Sequence, residues 1–144
     1  MSSMETNDER RVLTIGTFDI LHYGHIDLLN TCKSLGKLTV GVNSDRFVET
    51  FKPPALMSLE ERTLALNQLG FTTMPNDSPG RELIEEVKPD ILAVGSDWAR
   101  KDYYAQIDTP PEYFDENGIM LLYVPRKLRM SSTEIKRRIN ERNT

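Results

Sequence analysis

Residues 12–29, V-L-T-I-G-T-F-D-I-L-H-Y-G-H-I-D-L-L, leave this chain little choice of fold. The apolar run Val12 to Ile15 ends at Gly16, and a short turn covers Thr17 to Asp19. A helical pattern then starts at His25, with Leu28, Leu29, Cys32 and Leu35 three or four residues apart on the same face. The order is strand, phosphate-sized turn, helix. A helix N-terminus carries unpaired backbone N–H groups and the positive end of the helix dipole, so it attracts anions. His22 and His25, the only histidines in the chain, stand at that mouth. Gly24 between them lets a ligand come close to the backbone.

The rest of the chain repeats the alternation. Lys37 to Val42 reads as a second strand, reached by a right-handed crossover to a parallel neighbour. Asn43-Ser44-Asp45 caps a short helix running through Phe51, and Pro53-Pro54 make a stiff loop. Ser58-Leu59-Glu60-Glu61 is a capping box that opens a helix from about Leu59 to Leu69. Phe71 to Met74 is a short third strand, and Ser78-Pro79 starts a helix that stops near Lys88. Ile91 to Val94 is a buried parallel strand ending in Gly95-Ser96-Asp97-Trp98. Thr109-Pro110-Pro111-Glu112 opens a helix closed by Gly118, and Ile119 to Val124 is the last strand. Ser131-Ser132-Thr133-Glu134 opens a final helix with Ile135 and Ile139 inward and Lys136, Arg137 and Arg138 largely outward. This is an α/β chain with a parallel five-stranded sheet and helices on both faces. Ligands of such sheets sit beyond the carboxyl ends of the strands, near the switch point. The segments Gly16 to His25, Asn43 to Pro54, Gly95 to Trp98 and Pro125 to Ser132 all fall there.

Composition narrows the class. With 144 residues there is room for one domain with a real core and not for two. We expect a flexible polar tail over residues 1–11, without a signal-peptide core, and a domain over residues 12–142. A net charge of −4 argues against broad nucleic-acid binding while leaving room for a local basic pocket. The single cysteine, Cys32, on the apolar helix face, reads as core, and thiol use of this kind fits a cytoplasmic location. No apolar run approaches the roughly 18–20 residues of a membrane span. Two histidines and one cysteine make no zinc cluster, so no metal held by protein ligands alone is expected.

The stretch G-T-F-D-x-x-H-x-G-H resembles the signature of the cytidylyltransferase family, within the larger H-x-G-H nucleotidyltransferase superfamily. The resemblance runs from Val12 to Ile139. It implies a single-domain, Rossmann-like, doubly wound sheet. The activity it implies is transfer of CMP from CTP to a phosphorylated alcohol such as glycerol 3-phosphate, with release of pyrophosphate, by a homodimer. Mg²⁺ would bind mainly through the triphosphate. Two other readings stay open. One is an adenylyltransferase using ATP with a sugar phosphate, FMN or phosphopantetheine, since these share H-x-G-H. The other is a nucleotide-binding module that has lost catalysis.

The resemblance assigns His22, His25, Lys52 and Arg126 to catalysis. It assigns Gly16, Thr17, Phe18, Gly24, Met130, Ser131, Ser132 and Thr133, with the two histidines and Arg126, to the nucleotide. Asp19, Lys52, Arg62, Asp97 and Trp98 go to the acceptor. Lys52 stands alone before two prolines where the family often carries several lysines, and its other reading is a solvated loop lysine. Arg62 resembles the arginine of the family's S-x-x-x-R helix, where it either pairs with a carboxylate or reaches a substrate phosphate. Arg81 matches a family lysine only loosely and is assigned to the surface. Gly95-Ser96-Asp97-Trp98 is similar to the G-D-D-W of glycerol-phosphate cytidylyltransferases. There Asp97 would accept a hydrogen bond from a hydroxyl and Trp98 would pack over substrate or base, or else lie in the core. R-K-L-R-M-S-S-T, residues 126–133, resembles the family's R-T-x-G-I-S-T-T, with Arg129-Met130 in place of Gly-Ile. Its serines suit a phosphate cradle and a helix cap alike.

Overall fold

In the computed structural model, which describes residues 10–125 and 132–143, one sheet of five parallel strands runs through the molecule. The strands are β1 (Arg11–Gly16), β2 (Lys37–Asn43), β3 (Thr72–Asn76), β4 (Ile91–Gly95) and β5 (Met120–Val124), in the order β3-β2-β1-β4-β5. The chain starts at the centre, winds to one edge, then returns to the other side of β1. β1 is paired with β2 from Arg11 to Gly16, but its ladder to β4 covers only Val12 and Leu13. The two central strands therefore part toward their carboxyl ends, and a crevice opens at the switch point, where ligands of such sheets bind.

The period-2 alternation of the strands divides the core. Val12 and Val40 face one side with Leu29, Cys32 and Leu66, which come from α1 (Tyr23–Ser34) and α3 (Leu59–Gln68). Leu13 and Leu92 face the other side with Leu83, Ile84, Tyr103, Ile107 and Phe114. That side is covered by α4 (Arg81–Val87), α5 (Tyr103–Gln106) and α6 (Pro111–Asn117). Each fully buried aliphatic side chain contributes about 1.5–3 kcal/mol, so both faces are secured independently of the site. α2 (Asp45–Val48) follows β2, a 3₁₀ turn (Ser96–Arg100) follows β4, and α7 (Ser132–Arg142) ends the described chain. Cys32 is buried, and burial pushes its thiol up to about 12, which suits a core residue.

Several boundaries differ from the sequence expectation. β1 already begins at Arg11, because its amide donates to Asp90 and its guanidinium to the Lys88 carbonyl. α1 starts at Tyr23, two residues early, because His22 caps it. α2 ends at Val48; Phe51 and Lys52 follow in a turn with both amides on the Val48 carbonyl. β3 runs from Thr72 to Asn76. Pro79 is not the first residue of α4: Gly80 occupies the cap with φ at +143° and abuts Ile107, which turns the chain after the proline. Thr109 does not cap α6, since its hydroxyl donates to the Ile107 carbonyl at 2.9 Å and Pro110 takes the cap position. Gly118 closes that helix in the left-handed conformation, as its residue type implies.

Candidate active site

Both histidines are tied into the helix mouth through their Nδ1 atoms. The Gly24 amide donates to His22 Nδ1 at 3.0 Å, and the His22 amide donates to His25 Nδ1 at 3.3 Å. The result is a capping box built from imidazoles, with the rings stacked 3.9 Å apart. An Nδ1 that accepts carries no proton, so in each ring the proton sits on Nε2. Both rings are thereby set as neutral Nε2–H donors, and both line the cavity described below. The Gly24 amide is taken by His22 in this cap.

The turn before the histidines is held in an uncommon backbone conformation. Phe18 and Ile20 have φ of +55° and +53°, a region that costs non-glycine residues energy and is concentrated at functional sites. Between them Asp19 is only 3% exposed. Its carboxylate accepts the amides of Leu56 and Met57 at 2.9 and 3.0 Å and the Lys136 ammonium at 2.7 Å. Burial would raise this carboxyl's pKa; the Lys136 ammonium and the two amides outweigh it and hold the group below the ordinary carboxylate range. Asp19 thus joins three segments: the β1 turn, the loop after Lys52, and α7. This use explains its burial and places it at the base of the site.

Lys52 lines the same cavity. Burial lowers its pKa first, the nearby Lys136 ammonium lowers it further, and Asp19 only partly compensates. Two neighbouring ammonium groups on one cavity suit an anion. Lys136 was assigned to the outward face of the last helix; the structure turns it inward onto Asp19. Arg137 and Arg138 do face outward and pair with Glu134, and Arg137 also with Glu141. Helical periodicity points Ile135 and Ile139 inward instead, but Ile139 is 47% exposed, so the helix docks by a face that its apolar residues do not mark.

Arg62 lies beneath the cavity and is not among its lining residues. It is 1% exposed. Its guanidinium donates to the carbonyls of Met57, Thr17 and Asn43 at 2.7–2.9 Å and to the Asp45 carboxylate at 2.7 Å. Of the two readings of this arginine, pairing with a carboxylate is the one observed. Asn43 continues the platform: it donates to the Thr17 hydroxyl and accepts from Asn76, which also donates to the Ser78 carbonyl. The carboxyl ends of β1, β2 and β3 are locked by this polar network. Neither Asn43 nor Asn76 was singled out from sequence, since an asparagine at a strand end also reads as a plain turn residue.

Above the platform is a cavity of about 620 Å³. Gly16, Thr17, Phe18, Asp19, His22, His25, Lys52, Asp97, Trp98 and Thr133 all line it, so four separated stretches of sequence meet there. Lys136, Asn43, Phe47, Phe51, Tyr103, Gln106 and Ile107 line it as well. Gly16 passes close to Phe18: a Cβ there would lie 2.9 Å from the ring, which would have to shift. Trp98 is half-buried, edge-on to Tyr103 at 5.3 Å, with the Lys101 ammonium over its ring. Arg81 is half-exposed, with its guanidinium over the Tyr113 ring and near Glu85 and its Nε buried. Arg126, Met130 and Ser131 lie outside the described residues, and Ser132 is the first residue of α7.

Comparison with known proteins agrees with this geometry. The profile of the cytidylyltransferase-like family matches residues 13–138. The bifunctional protein HldE of Koribacter versatilis is 38% identical over 99 residues, which is 65% of this chain and 20% of that protein. HldE of Helicobacter pylori is 34% identical over 108 residues, 71% of this chain and 23% of that protein. The chain thus spans about a fifth of the length of these relatives. Among solved structures, a lipopolysaccharide core biosynthesis protein from Thermoplasma volcanium superposes with a TM-score of 0.67 at 27% identity, covering 84% of this chain and 98% of the other. Pantothenate synthetase from Thermus thermophilus shares the fold at 15% identity, with a TM-score of 0.53 over 90% of this chain and 65% of the other. With the family profile spanning all five strands and the histidine-capped helix mouth at the switch point, the chain belongs to the cytidylyltransferase-like family of the nucleotidyltransferase superfamily.

Proposed function

We propose that this nucleotidyltransferase-family chain transfers AMP from ATP to the phosphate of a sugar phosphate, releasing pyrophosphate. The observation that carries the transfer chemistry is the convergence of two Nε2–H imidazoles and two lysines on one cavity. A phosphate monoester has a second pKa of about 6, so at neutral pH the acceptor is already a competent nucleophile and needs no general base. The chain's task is to hold two anions in line. An acceptor phosphate oxygen forms a bond to the α-phosphorus while the bond from that phosphorus to the β-phosphate oxygen breaks, and the electron pair leaves with pyrophosphate. Lys52 and Lys136 offset the repulsion between the anions. His22 and His25 donate to oxygens on which charge develops, without a change in their own protonation. Asp19 keeps Lys136 in place. Lys52, His22, His25 and Lys136 would touch substrate; Arg62 would act only by positioning the loops. Among the described residues no group of three or more His, Cys, Asp and Glu is arranged to hold a metal ion, and Asp19 is already occupied by three donors. Mg²⁺ would be carried mainly on triphosphate oxygens and water, where it would neutralise leaving-group charge.

The sugar-phosphate acceptor is supported by the lipopolysaccharide-core naming of the 27%-identical Thermoplasma protein. An ATP donor goes with this acceptor in the adenylyltransferase reading that H-x-G-H leaves open, where acceptors include sugar phosphates. A second reading, CTP with a glycerol-phosphate-like alcohol, is favoured by Gly95-Ser96-Asp97-Trp98, with Asp97 and Trp98 both lining the cavity. Pyrophosphate release measured with ATP and with CTP, each against glycerol phosphate and a panel of pentose, hexose and heptose phosphates, separates the two. We expect turnover with ATP and a sugar phosphate. Turnover with CTP and glycerol phosphate alone would replace this reading by the second. Nucleotide binding without pyrophosphate release across the whole panel would leave a binding module. A homodimer is the proposed assembly, to be checked by light scattering. Among the described residues no helix is long and apolar enough to cross a membrane.

A further inference from the structure

The cavity has two chemically different ends. Its cations and imidazoles lie with the β1 turn, the Lys52 loop and α7. The wall built by the opposite core face is formed by the uncharged Tyr103, Gln106 and Ile107 of the α5 turn with Pro79 and Ile15, and Asp97 and Trp98 of the preceding 3₁₀ turn line the cavity as well. This turn is firmly set. Asp102 caps it by accepting the Ala105 amide at 3.1 Å, and Tyr103 and Ile107, 3% and 1% exposed, are buried one turn apart in the second core. Ile107 is braced from outside by Gly80, where even a Cβ would come within 3.2 Å.

Gln106 is three residues after Tyr103 and one before Ile107, so it lies beside the face by which the turn is anchored. Its side chain is half-buried and its carboxamide lines the cavity, with no hydrogen bond to another described residue. A carboxamide both donates and accepts, which matches a hydroxyl, and it carries no charge to compete for phosphate. Burial raises the Tyr103 phenol, so that neighbour also stays neutral. Resting on the reading that the acceptor is a phosphorylated polyhydroxy compound, we propose that Gln106 hydrogen-bonds a hydroxyl of the acceptor's carbon chain and is the residue by which the α5 wall selects among sugar phosphates.

A site built to hydrogen-bond a substrate hydroxyl discriminates strongly against an analogue that lacks it. The test is steady-state kinetics of wild type, Gln106→Leu and Gln106→Asn, using the panel acceptor of highest kcat/KM and its monodeoxy analogues. Retained nucleotide-dependent thermal stabilisation serves as the folding control. We expect Gln106→Leu to lower acceptor kcat/KM by about tenfold or more, with the KM for nucleotide within about twofold of wild type. One monodeoxy analogue should be nearly insensitive to the substitution, which identifies the hydroxyl. Gln106→Asn, one methylene shorter, should retain more discrimination than the leucine. Unchanged acceptor kinetics in a folded Gln106→Leu would overturn the assignment of Gln106 alone, as would a shift confined to the nucleotide KM. Wild type that turns over no phosphorylated polyhydroxy compound would overturn the acceptor reading and this proposal with it.

Discussion

At the scale of single residues, His22 and His25 carry structure and chemistry together. Each ring's Nδ1 is bound to the backbone of the helix mouth, so removing the ring removes a cap as well as a donor. His22→Ala should cost roughly 0.5–2 kcal/mol of stability, as loss of an N-cap does. It should also lower kcat a hundredfold or more, the typical effect of losing one preorganised donor. Thermal melts and single-turnover rates measure the two effects separately, and a melting loss without a rate loss would leave His22 as a cap alone. Lys52 makes a different prediction. Its ammonium is destabilised by burial and by Lys136, so in the free protein it loses its proton below the ordinary lysine range. The alkaline fall of kcat/KM, which reports free-enzyme groups, should therefore begin below that range. Lys52→Arg should move the fall to higher pH, at reduced rate, because a guanidinium does not titrate there. A pH profile identical in both proteins would place the titrating group elsewhere.

At the scale of elements, the site depends on how a turn, a loop and a helix are joined. Asp19 makes that joint with two amides of the 53–57 loop and the Lys136 ammonium of α7. Asp19→Asn keeps the volume but removes the charge, and it turns one acceptor into a donor facing other donors. Hydrogen exchange at the Leu56 and Met57 amides should quicken, while exchange in β1 and β2 stays slow. The pH dependence has a definite sign. A carboxyl depressed in the folded state stabilises above its unfolded pKa of about 3.9, and the contribution is lost as pH falls through the lower folded value. The stability gap between wild type and Asp19→Asn should thus be constant between about pH 5 and 8 and close only in stronger acid. A gap that closed near neutrality would show that Asp19 is not the group responsible.

For the whole molecule, Arg62 is the point on which local and global stability meet. It binds the ends of β1 and β2 and the start of α3 through three carbonyls and one carboxylate, with its own side chain fully buried. Arg62→Leu would leave those carbonyls without their donor, at about 1–3 kcal/mol for each buried group left unsatisfied. That sum is comparable with the roughly 5–15 kcal/mol that holds a domain together. Denaturant unfolding should show a large fall in midpoint, and Arg62→Lys should rescue little, because one ammonium cannot reproduce a planar fork with five donors. A midpoint near wild type in Arg62→Leu would mean that water replaces the guanidinium.

The strand–turn–helix at residues 12–29, the α/β alternation, the capping box at Ser58 and the left-handed stop at Gly118 were all legible in the sequence. Each depends on interactions among residues close in the chain, where period, cap chemistry and glycine conformation act directly. The family signature was legible for the same reason, since its ten residues are contiguous. Tertiary structure decided the rest. Lys136 faces Asp19 because of the angle at which α7 docks, Arg62 is buried because three loops converge over it, and Gln106 meets the cavity because the α5 turn packs against β4 and α4. These are contacts between segments tens of residues apart, set by how two apolar faces close on one sheet. The residues involved are a lysine, an arginine and a glutamine, whose types alone look the same on a solvated surface as at the bottom of a site.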